Sequence, residues 1–527
     1  MSGRPAPVTH VPNWIWPLAA MAGVAVTILP RLRWISIYED QGVISGMAMQ
    51  VAAGQVPYRD FDTSIAPGSI FMYGAYYKLF GASVVHQRLL TGVAMLIGVW
   101  LVAVIGRRVL PAWWAAGVAL IWGVWLPVFQ EFSPYHFWSV AFILAMSAAL
   151  LAARSAKRRR LAFALAGLAA SAALIMLQAS LLAVIAGLVV AAIIERDMRR
   201  SLVPMLIAMA VPGLLVLVVL ALLGALPSFI ADAVVYNFKV FGPNQTLPFP
   251  WQPALLHDTS FWEASAGALW AIPMHWLLAV VAPIAVAIFT ALALWGHRVA
   301  LGSCPDWVLI GILAAGLFAS VLLLHMSDQN LWLCAPLTLL IVTMRLKQTL
   351  AGSSTRRIMA AVVAVPVVII YLTGLSPLVL GYALTCHTDG IGFLRQVDTP
   401  KGSVCVTFDS APTVAAAVKF SSQHPDSAIA FLTAAPSLYQ ITGRVPPVPD
   451  ALLLVPGITT PDQLARVETA MRSLPVDWVV YYKIDFTKDL PSDRALQDGS
   501  PFQFDQFLND TYQRADQDGL VLYRLKR

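Results

Sequence analysis

Charged side chains are scarce in this chain of 527 residues. Asp, Glu, Lys and Arg make up 12% of the residues, hydrophobic residues make up 58%, and the mean hydropathy is +0.72. Soluble globular proteins carry a charge on about a quarter of their residues, so this composition excludes an ordinary soluble enzyme. The chain is therefore predicted to cross a membrane several times.

Cysteine is also rare, and the four cysteines show no metal-binding or redox spacing. Neither a Cys-X-X-Cys pair nor a His-rich spacing accompanies them, which argues against a zinc site or a redox motif. Cys386 and Cys405 could form a disulfide if this part of the chain is exported to an oxidising compartment. The alternative is two lone buried thiols, which pack as small apolar side chains.

The charges that are present divide the chain into two parts. Residues 385–527 hold 13 basic and 16 acidic side chains, which leaves 22 basic and 12 acidic ones for residues 1–384. We therefore predict a transmembrane module at 1–384 and a water-soluble domain at 385–527, which is long enough for one small domain. The membrane module thus carries a net charge of +10 and the tail −3, and the positive charge of the module sets its orientation, so no nucleic-acid partner is expected.

Apolar runs near 20 residues long predict the membrane helices, because a helix of that length crosses the hydrocarbon with its backbone groups paired. The sequence contains about eleven such runs. No small-residue cleavage site follows the first, so we expect it to be a retained span and not a signal peptide. The predicted spans are 13–30, 84–105, 112–128, 137–153, 161–177, 179–194, 202–226, 275–295, 307–323, 331–344 and 358–379.

Basic residues between these spans predict the orientation. With a cytoplasmic N-terminus, fifteen arginines and lysines of the membrane module fall in inner loops and six in outer segments, as the positive-inside rule requires. An odd number of spans then places residues 385–527 outside the cytoplasmic membrane, with membrane lipids as partners. If one helix has been missed or split in this prediction, most easily near Gln178, residues 385–527 would instead lie on the cytoplasmic side.

Carboxylates of the membrane module gather on the predicted outer side. The positive-inside rule does not explain this distribution, because acidic residues contribute little to topology. Chemistry at the outer face would explain it, although outer loops also need polar residues of some kind. Nine of the twelve lie there: Glu39, Asp40, Asp60, Asp62, Glu131, Asp232, Asp258, Glu263 and Asp328.

The first outer loop, residues 31–83, holds two carboxylate pairs. A small-residue helix is predicted at 43–53, ending at Gly54, and an aromatic-rich helix at 69–81 is predicted to lie along the membrane interface. A carboxylate at a partly buried interface is suited to act as a general base, because desolvation raises its pKa. The pairs are Glu39/Asp40 and Asp60/Asp62.

The tail alternates short β-type runs with helical runs, which predicts an α/β domain. It contains no phosphate-binding glycine loop and no catalytic constellation, so its expected role is support or acceptor recognition. The predicted strands are 403–408, 428–432, 478–482 and 520–525, and the predicted helices are 411–422 and 461–473.

Several motifs of the first outer loop have counterparts in a known family. They are Asp40-Gln-Gly42, Gly54-Gln-Val-Pro-Tyr-Arg-Asp60, Pro67-Gly68 and Lys78-Leu-Phe-Gly81. The loop resembles that of the GT-C integral-membrane glycosyltransferases, in the branch of protein O-mannosyltransferases, lipid A aminoarabinose transferases and many bacterial homologues. Segments at 172–187, 399–402, 430–439 and 443–447 are also similar to parts of bacterial members.

This resemblance implies a mainly α-helical polytopic membrane protein with a C-terminal α/β domain. It also implies an enzyme that moves a sugar, with inversion, from a polyprenyl-phosphate-linked donor to a glycan, lipid or protein acceptor outside the bacterial cytoplasmic membrane. The family's catalytic Asp maps to Asp40, which we predict to be the general base, with Glu39 as its partner or as a metal ligand. A divalent metal is the one cofactor left open.

The sequence departs from the family at two positions. Gln41 replaces a Glu, and Ile65 stands where many relatives carry a Lys that could meet the donor phosphate. Arg88 could bind that phosphate in place of the missing Lys, and so could Arg59, Lys239, His136 or His325. Asp60 could instead cap a turn, and Glu131 and His136 could lie among headgroups. The predicted substrate-binding residues are Arg59, Asp60, Asp62, Glu131, His136, Gln178, Lys239 and His325.

Two other functions remain open on the sequence. A transporter or flippase of lipid-linked sugars also needs a membrane module, but transporters tend to show internal repeats and ionisable residues at mid-membrane. No repeat is found, and the predicted helix cores are nearly free of charge. A catalytically inactive GT-C-like scaffold is the other alternative, because Gln41 replaces the family's Glu.

Overall fold

The computed structural model describes most of the membrane module and most of the tail. The described residues are 12–35, 40–129, 134–237, 239, 281–296, 304–322, 328–351, 386, 394–408, 410–432, 435–448, 461–474, 476–481 and 504–526.

Within the described part of residues 12–351 the chain is almost entirely helical. In chain order the helices are α1 (Ile15–Ile28), α2 (Asp40–Ala52), α3 (Pro67–Phe80), α4 (Val84–Gly106), α5 (Ala112–Phe129), α6 (Pro134–Ala153), α7 (Arg159–Met176), α8 (Leu181–Ile194), α9 (Leu202–Leu222), α10 (Leu226–Phe229), α11 (Ala282–Gly296), α12 (Asp306–Leu322) and α13 (Asp328–Leu350). Two 3-10 turns and one π-helical segment interrupt the series: Leu29–Arg33, Gln178–Ser180 and Ile230–Val235.

Ten of the eleven predicted membrane spans coincide with α1, α4 to α9 and α11 to α13. The predicted span 358–379 lies outside the described residues. Six helices of the described part are long and apolar enough to cross a membrane. They are Ile15–Arg33, Val84–Gly106, Pro134–Ala153, Arg159–Met176, Leu202–Leu222 and Leu333–Leu350. The prediction of a polytopic helical membrane protein is thus confirmed.

Several membrane helices expose large apolar side chains that would contact lipid. In α9, which has a mean hydropathy of 2.8, 11% of the residues are buried, and Leu214, Leu215 and Leu222 are widely exposed. Such a surface would be unstable in water but matches the hydrocarbon of a bilayer. Small residues allow the helices to pack closely: a Cβ at Gly167 of α7 would collide with the Met205 carbonyl oxygen of α9.

Two glycines end the helices of the first outer loop. Gly54 follows α2 with φ +99°, as predicted, and Gly81 follows α3 with φ +81°. These left-handed conformations are strained for residues with a Cβ, which explains glycine at the close of each motif. Ser83 then begins α4 by accepting a hydrogen bond from the His86 backbone N–H at 3.1 Å.

The described part of the tail contains two sheets and several helices. Its elements are β1 (Leu394–Val397), β2 (Val404–Thr407), α14 (Ala411–Gln423), β3 (Ile429–Leu432), α15 (Ser437–Thr442), α16 (Pro461–Ser473), β4 (Trp478–Tyr481), α17 (Phe504–Thr511), β5 (Tyr512–Arg514) and β6 (Val521–Leu525). A two-stranded antiparallel sheet pairs β1 with β2, and a second sheet has the order β3-β4-β6-β5 with β3 and β4 parallel. The predicted strands and helices are all present, whereas β1, β5, α15 and α17 were not predicted.

The first outer loop and the tail share one hydrophobic core. Tyr73 and Tyr77 of α3, predicted to lie along the membrane interface, are instead buried in this core. These two tyrosines of α3 therefore pack against protein, whereas Phe80 of the same helix is exposed. Other members come from α2 and from the tail: Ile44, Ala48, Val414, Phe431, Leu438 and Tyr439.

Candidate active site

Asp40 is the first residue of α2, and Glu39 lies outside the described residues. Of Asp40 the backbone position is described, so its role as general base stays a prediction. Glu131 and His325 also lie outside the described residues. The site is therefore defined by the elements that place α2 and by the polar residues around it.

The segment before α2 is attached to the tail. The Ile35 N–H donates to the Cys405 carbonyl at 2.8 Å, and Trp34 forms a parallel β-bridge with Cys405. Cys405 is bonded to Cys386 in a disulfide with Cα atoms 5.8 Å apart, which decides the open question of their pairing. The residue that pairs with the crosslinked Cys405, Ile35, thus precedes Asp40 by five positions in the sequence.

Asp60 caps a turn in the loop. Its Oδ2 accepts the Val56 N–H at 2.7 Å, and its two oxygens accept the Arg59 Nε and Nη2 at 2.8 Å each. The hydrogen bond from Arg59 is the largest cause that holds the pKa of Asp60 below its ordinary value; burial opposes it, and the Val56 N–H and the Arg59 charge assist. Asp60 is thus held as an ionised turn cap, and Arg59, a predicted phosphate contact, is its partner.

Tyr58 anchors the same turn. It has φ +66°, and its buried hydroxyl donates to the Ile65 carbonyl at 2.5 Å. Burial, aided by the charge of Asp232, raises the pKa of Tyr58 well above its usual value, so the hydroxyl remains a donor. Its ring meets Phe229 of α10 edge-on, with centroids 5.1 Å apart. The strained backbone and the ring contact fix the loop against α10.

Gln178, a predicted substrate contact, joins the loop to the π-helical segment. Its Nε2 donates to the Ser64 carbonyl at 2.8 Å and to the Ala233 carbonyl at 3.2 Å. Asn237 Nδ2 donates to the same two carbonyls at 2.8 and 2.9 Å. The amide nitrogen of Gln178 therefore has a structural partner, and Asn237 was not singled out as a site residue from the sequence.

Asp62 forms an ion pair with Arg466 of α16. The two residues are 404 positions apart, and the side chain of Asp62 is 25% exposed. The sequence did not reveal this partner. The pair adds a polar contact between the loop and the tail beside their common core.

Two arginines are buried where the C-terminal end of α1 approaches the N-terminal end of α4. Arg88 of α4 donates from Nη1 to the Arg31 carbonyl at 3.1 Å, and its guanidinium lies over the Trp34 ring at 4.8 Å. Arg88 is fully buried and Arg31 is 3% exposed. Of the other predicted contacts, His136 is buried in the first turn of α6 beside the Tyr135 ring, and Lys239 is exposed.

Buried polar side chains line the contact between α2 and α15. Ser45 and Tyr77 share a hydrogen bond at 2.7 Å, and Gln440 Nε2 donates to the Tyr77 hydroxyl at 3.1 Å. Gly42 faces Ser437: a Cβ there would lie 2.8 Å from the Ser437 Cα and closer still to its N and Oγ. The glycine of the Asp-Gln-Gly motif thus permits the tail helix to touch α2.

Among the described residues, no group of three or more His, Cys, Asp or Glu side chains could hold a metal ion. The predicted metal ligand Glu39 is not among them.

The fold has counterparts among solved structures. ArnT from Cupriavidus metallidurans bound to undecaprenyl phosphate aligns with a TM-score of 0.54 and 13% identity, over 97% of each chain. The oligosaccharyltransferase AglB from Archaeoglobus fulgidus, in complex with an inhibitory peptide and a dolichol-phosphate, aligns with a TM-score of 0.52 and 10% identity. That alignment covers 97% of this chain and 74% of AglB.

This protein has the GT-C fold. The apo form of ArnT gives the same result, with a TM-score of 0.52 and 14% identity over 96% of this chain and 97% of ArnT. No family model and no curated protein matches the sequence. The resemblance inferred from the first outer loop is therefore confirmed at the level of fold, across almost the whole GT-C chain.

Proposed function

We propose that this GT-C protein transfers a sugar from a polyprenyl-phosphate-linked donor to a glycan, lipid or protein acceptor at the outer face of the bacterial cytoplasmic membrane. The observation that carries the proposal is the alignment over 97% of both chains with ArnT, whose structure holds undecaprenyl phosphate. The motif Asp40-Gln-Gly42 at the start of α2 supports it, because Gly42 is the point where the tail contacts that helix.

Asp40 is the proposed general base. Its carboxylate takes the proton of the acceptor hydroxyl or amine while the acceptor atom bonds to the anomeric carbon from the face opposite the phosphate. The bond from that carbon to the phosphate oxygen breaks, and the polyprenyl phosphate leaves with the electron pair, which inverts the anomeric centre. A leaving phosphate is already a stable anion, so it needs no proton.

The engagement of the other loop carboxylates supports this choice. Asp60 is held by Arg59 and the Val56 N–H, and Asp62 is paired with Arg466. A base must be free to accept a proton from substrate, whereas both of these carboxylates are fixed in ion pairs and the Arg59 hydrogen bond also lowers the pKa of Asp60. Glu39 remains the proposed partner of Asp40 or a ligand for a divalent metal.

Arg88 is the proposed cation for the donor phosphate. It is buried, at the outer end of α4, and stacked on Trp34 close in sequence to Asp40. A positive charge in a low-dielectric site stabilises a developing phosphate anion far more than an exposed one does. Arg59 instead belongs to the turn capped by Asp60.

The proposed extracytoplasmic position of the tail has two supports. The Cys386–Cys405 disulfide is of a kind that persists in oxidising compartments. The arginine-rich loops between α4 and α5 and between α6 and α7 are typical of a cytoplasmic face.

Reconstitution tests the proposed function. Purified protein in proteoliposomes is supplied with undecaprenyl-phosphate-linked hexoses, hexosamines and pentoses, together with extracted envelope glycan, lipid and peptide acceptors. We expect consumption of one donor, with release of undecaprenyl phosphate and labelling of an acceptor. Movement of labelled carrier across the bilayer with no consumption of any donor would contradict the proposal and identify a transporter.

A further inference from the structure

We infer that α15 of the tail and the first turn of α2 together form a subsite that binds the hydroxyl groups of a neutral sugar. The residues are Gln41, Ser437 and Gln440, and the inference rests on the proposed function. It makes the tail a contributor to substrate selection as well as a cover for the loop.

The side chains concerned are fully buried and have hydrogen-bonding atoms to spare. Gln41, Ser437 and Gln440 each have 0% exposure. Both amide atoms of Gln41, the Ser437 Oγ and the Gln440 Oε1 make no hydrogen bond with any residue that the structure describes. Buried polar atoms are nearly always paired in native proteins, so these atoms require a partner from outside the described chain.

These residues meet at one end of α2. The Gly42 contact places Ser437 directly on the first turn of that helix. Gln440, one turn along α15 from Ser437, reaches the Tyr77 hydroxyl, which Ser45 also contacts. Ser45 lies four residues after Gln41, on the same face of α2. The three residues therefore lie around the first two turns of α2, where Gln41 directly follows Asp40.

The chemistry of the cluster selects the class of ligand. Gln41 offers one donor group and one acceptor, Ser437 offers both, and Gln440 offers an acceptor. None of the three carries a charge, so a phosphate or carboxylate would gain no ionic partner from them. A sugar hydroxyl donates and accepts at once and matches such a set. The hydroxyls could belong to the donor sugar or to a glycan acceptor.

Variants separate a ligand-binding role from a structural one. Gln41→Leu and Ser437→Ala remove atoms that have no described protein partner, so we expect melting temperatures equal to or above that of the wild type. In the transfer assay each variant should lower kcat/KM by about tenfold, the effect of one lost hydrogen bond. The rise in KM for the donor or for the acceptor identifies which sugar is bound.

Two matched controls are present on the same helices. Gln50 is a second fully buried, unpaired glutamine of α2, nine residues after Gln41 and so on the opposite face. Thr442 is a buried residue of α15 whose hydroxyl donates to the Leu438 carbonyl at 2.7 Å. Gln50→Leu and Thr442→Val should leave both KM values within about twofold of the wild type.

Deoxy-sugar substrates complete the test. Removing the hydroxyl that Gln41 binds should weaken wild-type kcat/KM by about tenfold and have little further effect on Gln41→Leu. Wild-type KM values in Gln41→Leu and Ser437→Ala, or an equal loss in Gln50→Leu, would overturn the inference and leave structural water as the partner of these atoms. A wild type that transfers no sugar at all would instead contradict the proposed function.

Discussion

Asp60 shows that a carboxylate within a family motif can have a structural role, because it accepts a backbone N–H of its own turn. Both of its oxygens are engaged by Arg59 and by the Val56 N–H. The alternative of a turn cap, open on the sequence, is thus what the structure contains. The sequence could not decide between the two roles, because a carboxylate in a polar loop can equally contact substrate or cap its own turn.

A pH-dependent stability follows from that cap. The pKa of Asp60 lies below its ordinary value, chiefly through the Arg59 hydrogen bond, so its contribution to folding is present above the unfolded pKa of about 4 and is lost as the pH falls through the folded value. We expect the wild type to melt above Asp60→Asn at pH 7, and the two melting temperatures to converge only as the pH falls below the unfolded pKa of about 4. A constant difference across this range would contradict the assignment.

The contact between α2 and α15 depends on Gly42. A Cβ at this position would collide with Ser437, whereas one at Gly117 of α5 would meet no atom within 4 Å. We therefore expect Gly42→Ala to separate the tail from α2, lowering both the melting temperature and the rate of transfer. Gly117→Ala, the same substitution in a helix, should leave both unchanged. Equal behaviour of the two variants would show that the contact is not required.

The disulfide should stabilise the segment that leads into α2. Cys405 bonds Cys386 and pairs through its backbone with Trp34 and Ile35. Losing a native disulfide from a small domain costs about 2–5 kcal/mol, so Cys386→Ser should lower the melting temperature and the transfer rate. Reduction of the wild type should reproduce both effects. The control variant Cys334→Ser, at a buried cysteine of α13, should remain as sensitive to reductant as the wild type. Full activity of the reduced protein would contradict this role.

Element types were predictable where a single strong pattern decides them. Long apolar runs determined the membrane helices, because only a helix satisfies the backbone in lipid. β1 and β5 are strands of four and three residues with polar side chains, and α15 has six residues, so none carries a periodicity that a sequence can reveal. α3 was predicted correctly as a helix, but the burial of Tyr73 and Tyr77 was not predicted, because it depends on packing with residues far away in the sequence.

The union of the first outer loop with the tail could not be predicted. It is made by contacts between residues hundreds of positions apart, such as Asp62 with Arg466 and Tyr77 with Gln440. Neither partner carries a local signal, since each is an ordinary polar residue of a loop or helix. The predicted division of the chain at residue 385 describes composition, whereas the packing joins residues from both sides of it.

The orientation of the whole molecule can be measured on intact cells. Lys419 of the tail and Lys347 of α13 are both exposed, and our account places them on opposite sides of the membrane. A membrane-impermeant amine reagent should therefore modify Lys419 in spheroplasts and Lys347 after the membrane is opened. Modification of Lys347 in sealed spheroplasts, with protection of Lys419, would reverse the proposed topology.

The most direct test of the account is the rate of sugar transfer by Asp40→Asn in proteoliposomes, with Asp60→Asn as the control. Loss of a general base lowers the rate by about 10²–10⁴-fold, so we predict that loss for Asp40→Asn with little change in KM for the donor. Asp60→Asn, which alters the turn, should keep its rate within about tenfold of the wild type. Wild-type transfer by Asp40→Asn would contradict the central claim.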